Sequence, residues 1–247
     1  MPDSKLYGLI GSSLKHSFSE RFFTEKFKSE NIQAVYRNIE IADTGELERF
    51  FKGSLPYSGL NVTFPYKESV IPFLDEVNEN AREIGAVNVI EFRNGVKIGY
   101  NTDSSAFAES LRNTTLVKDK AALILGTGGA SKAVAFALQY LEIPFEFVSR
   151  TKRDIPGFKS YEDIRNEGLS DYGLIVNCTP LGTYPDTEGV VDLNFDQVND
   201  QHFLYDLVYN PELSTFLKKG LEKGARIKNG SNMLRFQAEL TWLLWNR

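Results

Sequence analysis

Residues 121–130 read Ala121-Ala122-Leu123-Ile124-Leu125-Gly126-Thr127-Gly128-Gly129-Ala130. Five apolar residues in a row are the pattern of a strand buried on both faces of a parallel sheet. A glycine cluster follows, and then the helical run Ala133–Leu141. Glycines allow a tight turn and let backbone amides approach a pyrophosphate, while the helix N-terminus adds a favourable dipole. The spacing is not a complete Gly-x-Gly-x-x-Gly, because Ser131 stands at the last position.

Downstream, Phe145-Glu146-Phe147-Val148 reads as the next strand, with further apolar segments at 173–178, 203–208 and 225–228 and a helix at 213–223. A helix at 104–112 precedes the glycine turn. This alternation predicts a doubly wound parallel sheet. The strand at 145–148 leads into Ser149-Arg150-Thr151-Lys152-Arg153. A site for NAD carries an acid near this point, bonded to the ribose 2′-hydroxyl. Here three cations and two hydroxyls come before the first acid, Asp154. They suit a 2′-phosphate held by charge-assisted hydrogen bonds, so NADP is the better reading.

The first hundred residues have a different rhythm. Strands are expected at 5–11, 33–41 and 58–62, a helix at 18–28, and helical stretches near 66–73 and 76–84. Asn94-Gly95 between two short apolar runs signals a hairpin. The terminal segment 231–246 is helical, and a boundary is expected near residue 102. Three polar clusters stand out. Ser17 and Ser19 flank a helix start, where a hydroxyl serves as an N-cap or holds a carboxylate; His16 beside them says little alone. Asn61-Val62-Thr63-Phe64-Pro65-Tyr66-Lys67 runs from a strand into an expected helix. Lys67 would then oppose the helix dipole and lose its proton more easily, which suits acid–base work, or would be a surface lysine offset by Glu68. Asn101-Thr102-Asp103 offers three caps before one helix, and Asp103 falls at the expected boundary, where a cleft suits a ligand. In the last helix, Gln237 shares an apolar face with Met233, Leu234, Leu240 and Thr241, so it needs a polar partner.

Composition narrows the function classes. The chain has 247 residues, 42% hydrophobic and 25% charged, with net charge −5. That is ordinary globular composition, and its mild acidity argues against a nucleic-acid or membrane-surface binder. One cysteine, Cys178, and two histidines leave neither a disulfide nor a zinc site in prospect. No bilayer-length apolar run and no signal peptide are read, so a reducing cytoplasm is expected.

Together these residues resemble the shikimate dehydrogenases, NADP-dependent enzymes of aromatic amino-acid biosynthesis. The likeness covers nearly the whole chain. It is carried by His16-Ser17-x-Ser19, Asn61-Val62-Thr63-x-Pro65-x-Lys67, Gly85-Ala86-Val87-Asn88 and Asn101-Thr102-Asp103. It continues through Gly126-x-Gly128-Gly129-Ala130, Ser149-Arg150-Thr151, Val176-Asn177-x-Thr179-Pro180, Asp206-x-x-Tyr209 and Gly230-x-x-Met233-Leu234-x-x-Gln237. The resemblance implies an α/β protein of two domains. Residues 1–102 plus 230–247 would bind substrate on a mainly parallel sheet, and residues 103–229 would form a Rossmann-like NADP domain. It implies reversible reduction of 3-dehydroshikimate to shikimate.

By the same resemblance, Lys67 carries the proton at the reacting oxygen, and Asp103 pairs with it and binds an adjacent hydroxyl. Ser17 and Ser19, helped by Tyr209, hold the substrate carboxylate, while Thr63, Asn88 and Gln237 bind hydroxyls or orient Lys67. The pyrophosphate goes to Gly126, Thr127, Gly128, Gly129 and Ala130, and the adenosine phosphate to Ser149, Arg150, Thr151, Lys152 and Arg153. Leu207 and Gly230 line the nicotinamide end, with Glu79 on the cofactor side. No metal is implied, and a monomer or homodimer is expected. The chain departs from the family pattern at Ser13, Glu20, Asp154, Thr183 and Asn232. Competing readings are a quinate or dual quinate/shikimate dehydrogenase, a non-catalytic regulator of the same fold, and an enzyme like methylene-tetrahydrofolate dehydrogenase. Retention of Lys67 and Asp103 counts against the regulator, and the paired serines against the folate enzyme.

Overall fold

A computed structural model describes residues 5–15, 17–112, 114 and 120–247. His16 and the first four residues, on which parts of the sequence reading fall, lie outside the described residues. The chain divides into two units, Met1–Thr102 with Gln237–Arg247, and Asp103–Phe236.

The first unit contains β1 (Lys5–Gly11), α1 (Phe18–Ser29), β2 (Ala34–Glu40), α2 (Thr44–Lys52), β3 (Gly59–Val62), β4 (Glu76–Val77), α3 (Glu79–Ile84), β5 (Val89–Arg93) and β6 (Val96–Tyr100). Its sheet has the order β2-β1-β3-β5-β6-β4. β1 lies parallel to β2 and β3, whereas β5 runs antiparallel to both β3 and β6. The hairpin joining β5 to β6 turns at Asn94 and Gly95, with φ of 51° and 81°, the pair of positive values that a two-residue type I′ turn demands. Side chains alternate along β1, so Tyr7 and Leu9 enter one apolar cluster and Ile10 the other. This sheet is covered on both faces.

Two expected helices differ from what forms. Residues 64–65 and 67–70 are turns, and only Ile71–Phe73 makes a short 3₁₀ segment. Pro72 has no N–H to bond back to the Glu68 carbonyl, so an α-helical ladder is not carried through this stretch. The helix expected from 76 begins only at Glu79, because Glu76–Val77 pairs with β6 and the Asn78 side chain caps the turn by accepting from the Asn80 amide at 3.2 Å.

The second unit contains α4 (Asp103–Leu111), β7 (Ala121–Leu125), α5 (Gly129–Tyr140), β8 (Phe145–Ser149), β9 (Phe158–Ser160), α6 (Tyr161–Glu167), β10 (Tyr172–Asn177), β11 (Phe203–Asp206), α7 (Thr215–Glu222) and β12 (Arg226–Lys228). All its strands are parallel, in the order β12-β11-β10-β7-β8-β9. That is the doubly wound dinucleotide-binding order, whose switch point lies between β7 and β10, and ligands bind outside the carboxyl ends of the strands there. Leu123, Leu125, Val148, Ile175, Leu204, Phe216 and Leu217 form its core.

The last helix, α8 (Ser231–Trp245), begins in the second unit and ends in the first. The division thus falls inside α8, after Phe236, where the sequence placed it at 230. Its end is fixed by Trp245, whose indole stacks on Tyr7 with centroids 4.6 Å apart and donates to the Ile90 carbonyl at 3.0 Å. The ring lies so close to β3 that a Cβ on Gly59 would stand 2.3 Å from its Nε1. Gly59→Ala is therefore expected to displace the indole and destabilise the fold by about 1–3 kcal/mol, the usual cost of overpacking. Urea unfolding checks this, and an unchanged midpoint would show that the helix end is not held against β3.

Candidate functional site

In the first unit the polar residues collect at one edge of the sheet. There β3 and β6 end and β5 begins, because β5 is antiparallel to both. Asn88, just before β5, accepts from the Thr102 amide through Oδ1 at 2.8 Å. Its Nδ2 donates to Thr102 Oγ1 at 3.0 Å and reaches Gln237 Oε1 at 3.5 Å. The Gln237 carbonyl accepts from Thr102 Oγ1 and from Thr241 Oγ1, at 3.3 and 2.8 Å. Gln237 thus has its polar partner. Asn61 Nδ2 donates to the Asn88 carbonyl at 3.3 Å, and Asn61 Oδ1 accepts from the Tyr36 hydroxyl at 2.8 Å. Ser19, also buried, is hydrogen-bonded to the same hydroxyl. Burial pushes the Tyr36 hydroxyl well above its ordinary range, so it stays a neutral donor.

Ser17 is the N-cap of α1 and accepts from the Glu20 amide at 3.2 Å. A hydroxyl that accepts in a cap keeps its own hydrogen for a ligand, so capping and carboxylate binding are compatible. Thr63 continues β3 and donates its amide to the Ile10 carbonyl at 2.9 Å. Lys67, half-buried, is placed by the turns that follow. Its carbonyl accepts from the Val87 amide at 2.7 Å, and the adjacent Tyr66 is buried with its hydroxyl on the Ile41 carbonyl at 2.6 Å. No helix starts there, so Lys67 does not oppose a helix dipole, and its position rests on these bonds. Glu79 is exposed at the first position of α3 and joins none of these bonds.

In the second unit, Asp103 opens α4 and is buried. Gly126 follows β7 with φ 111°, a conformation that favours glycine, and a Cβ there would stand 3.3 Å from Thr179 Cγ2. Gly128 starts α5 with no side chain capping its first amides, which leaves those donors for an anion. The cationic loop lies beside this turn: Arg153 donates to Thr127 Oγ1 at 3.3 Å and lies over the Phe158 ring, 5.3 Å from its centroid. Lys152 pairs with Asp163 at 3.2 Å, Ser149 Oγ donates to the Thr151 carbonyl, and Arg150 is exposed. These donors fit a phosphorylated dinucleotide.

Gly230 touches the backbone of Leu207; a Cβ on it would stand 2.3 Å from the Leu207 carbonyl oxygen. Tyr209, half-buried, follows two residues later. Sequence reasoning assigned no role to the side chains beneath this segment. Asp206, at the end of β11, is fully buried and accepts from Asn177 Nδ2, the Val208 amide and Ser214 Oγ at 2.9, 3.0 and 2.5 Å. An acid closing an apolar strand was the available signal. The groups facing Asp206 from β10, the following loop and the cap of α7 carry no charge, and burial raises its carboxyl from 3.8 to about 6.

Comparison with known proteins gives consistent matches. The family model of the shikimate dehydrogenase substrate binding domain matches residues 9–90. A shikimate dehydrogenase (NADP(+)) of Carboxydothermus hydrogenoformans is 38% identical over 98% of this chain and 92% of its own. The shikimate dehydrogenase structure from Aquifex aeolicus superposes with TM-score 0.85 at 36% identity, over 100% of this chain and 94% of that one. Shikimate 5-dehydrogenase from Thermus thermophilus, solved in complex with NADP(H) and shikimate, superposes with TM-score 0.82 at 29% identity, over 98% and 93%.

The raised carboxyl of Asp206 has a measurable sign. A folded value above the unfolded one means that the folded state binds the proton more tightly. Its contribution is present below pH 3.8 and lost as pH rises through about 6. Relative to Asp206→Asn, the wild-type chain is expected to lose about 2 kcal/mol of stability between pH 4 and 7. Urea unfolding of both proteins across that range checks this; parallel curves would contradict it.

Proposed function

The chain belongs to the shikimate dehydrogenase family, and we propose that it catalyses the reversible NADPH-dependent reduction of 3-dehydroshikimate to shikimate. The observation that carries this reading is the buried layer of Asn88, Thr102 and Gln237 at the sheet edge that also holds Thr63 and Lys67. Such a layer of fixed amides and hydroxyls is suited to a ligand rich in hydroxyl groups. The first unit supplies Ser17, Ser19, Thr63, Lys67, Asn88 and Gln237 for the substrate, and the second adds Asp103 and Tyr209 and supplies the NADP residues of the glycine turn and the cationic loop. Its uncapped α5 start, Gly126 and the Arg153–Thr127 bond support that assignment.

NADP(H), when bound, supplies the hydride chemistry, and the protein supplies orientation and proton transfer. In the oxidation direction, Lys67 Nζ takes the proton from the substrate hydroxyl; in reduction it returns it. Asp103 is assigned the partner role, accepting from an adjacent substrate hydroxyl. Ser17 and Ser19, with Tyr209, donate to the substrate carboxylate, and Ser17 can do so while capping α1. Thr63, Asn88 and Gln237 meet the remaining hydroxyls. The Gly126–Ala130 amides take the pyrophosphate, and residues 149–153 take the 2′-phosphate. We place the enzyme in a reducing cytoplasm, acting without nucleic acid or membrane, on the strength of its net charge of −5 and single cysteine.

An absorbance assay of NADPH formation from shikimate and NADP⁺ tests the reading; turnover of quinate alone would replace it. Within that assay, Lys67→Ala is expected to lower kcat by about 10²–10⁴-fold with a much smaller change in KM for shikimate. Near wild-type kcat would remove Lys67 as the proton carrier. Arg150→Ala is expected to raise KM for NADP⁺ by roughly ten- to a hundredfold, one charge-assisted bond, and to leave NAD⁺ nearly unchanged. Equal losses for both cofactors would show that the cationic loop does not read the 2′-phosphate.

A further inference from the structure

Asp206 is a fully buried carboxylate whose partners are all neutral. An isolated charge in such a place is costly, so its three donors must be firmly placed. They come from three different parts of the second unit. Asn177 ends β10, the Val208 amide lies in the loop after β11, and Ser214 caps α7. An ionised carboxylate satisfies all three as acceptor only. An asparagine in its place would turn an NH₂ group toward one of them.

The bonds continue outward from this centre. Asn177 Oδ1 accepts from the Thr179 amide and hydroxyl, at 3.0 and 2.7 Å, and Thr179 lies against Gly126. The Asn177 carbonyl accepts from the Leu207 amide at 3.0 Å. On the other side of the loop, Gly230 donates to the Val208 carbonyl at 3.2 Å and packs on the Leu207 carbonyl. Residues 207 and 208 are therefore held from two sides, and the inner side converges on one carboxylate. Tyr205, just before it, has its hydroxyl hydrogen-bonded to Ser110 instead, at 2.9 Å.

We propose that Asp206 is a positioning residue: its carboxylate sets the course of the Leu207–Tyr209 segment, and through it the grip on the nicotinamide half of the cofactor. This rests on the assignment of Leu207 and Gly230 to the nicotinamide end. It makes a distinction that a general structural role would not. The adenosine half of the cofactor uses the glycine turn and the cationic loop, and should not sense the loss of Asp206.

The test compares calorimetric binding of NADP⁺ with that of adenosine 2′,5′-bisphosphate, which lacks the nicotinamide. Asp206→Asn is expected to weaken NADP⁺ roughly tenfold, about one hydrogen bond's worth, and to leave the bisphosphate nearly unchanged. Ser214→Ala, which removes only one of the three donors, should shift the ratio less and in the same direction, and it decides the matter if Asp206→Asn does not fold. An unchanged ratio, or equal weakening of both ligands, would overturn the proposal. Because these are binding ratios, they are read without turnover. A wild-type protein that binds NADP⁺ but does not oxidise shikimate would remove the proposed activity and leave this test intact, whereas one that binds neither ligand would overturn both.

Discussion

The side-chain amide of Asn88 is the fixed point on which the first unit depends. Its backbone amide donates to the Tyr100 carbonyl at 3.0 Å, and its carbonyl accepts from the Val62 amide at 2.9 Å. Its side chain binds both the amide and hydroxyl of Thr102 and reaches Gln237. One residue thus ties the end of β3, the start of β5, the end of β6 and the last helix. Leaving any of these buried groups unpaired costs about 1–3 kcal/mol. The helix end brought in this way closes the apolar face of the sheet with Trp245. The layer that holds the unit together is also the polar surface proposed to read the substrate's hydroxyls.

The second unit applies a similar rule with one charge in place of an amide. Parallel strands bring their carboxyl ends to a single edge, and at that edge loops must be held without further strand pairing. Asn177 and Asp206 stand at equivalent positions of neighbouring strands, paired in the sheet register, and together bind the loops that follow both. The glycine turn at the end of β7 lies next along the same edge. Backbone donors face the expected phosphates, and side-chain acceptors hold the frame.

The second half of the fold was legible because its signals are local. Continuous apolar strands, a glycine turn and intervening amphipathic runs leave few alternatives, and Asn94-Gly95 is an equally local hairpin signal. Two helices escaped sequence reading. α2 is announced only by Asp43, which accepts from the Glu46 amide, and α6 only by the reciprocal Ser160–Asp163 cap; each is short, and neither has a long periodic face. Lys67 lies in turns and not on a helix, because the local spacing that suggests a helix stops at Pro72. Gln237 was recognised as a polar residue on an apolar stripe, but its partners Asn88 and Thr102 are distant in sequence and no periodicity announces them. Asp206 stands in the motif Asp206-x-x-Tyr209, but its role is not legible there, since its donors come from β10, from the loop after β11 and from the cap of α7.

The most direct test of the central assignment is a crystal structure of the protein with shikimate and NADP⁺ bound. The expected result has the reacting oxygen of shikimate about 2.6–3.2 Å from Lys67 Nζ, the reach of a proton carrier, with the pyrophosphate on the Gly126–Ala130 amides. Shikimate seated away from Lys67, with Asn88 and Gln237 untouched by its hydroxyls, would contradict it.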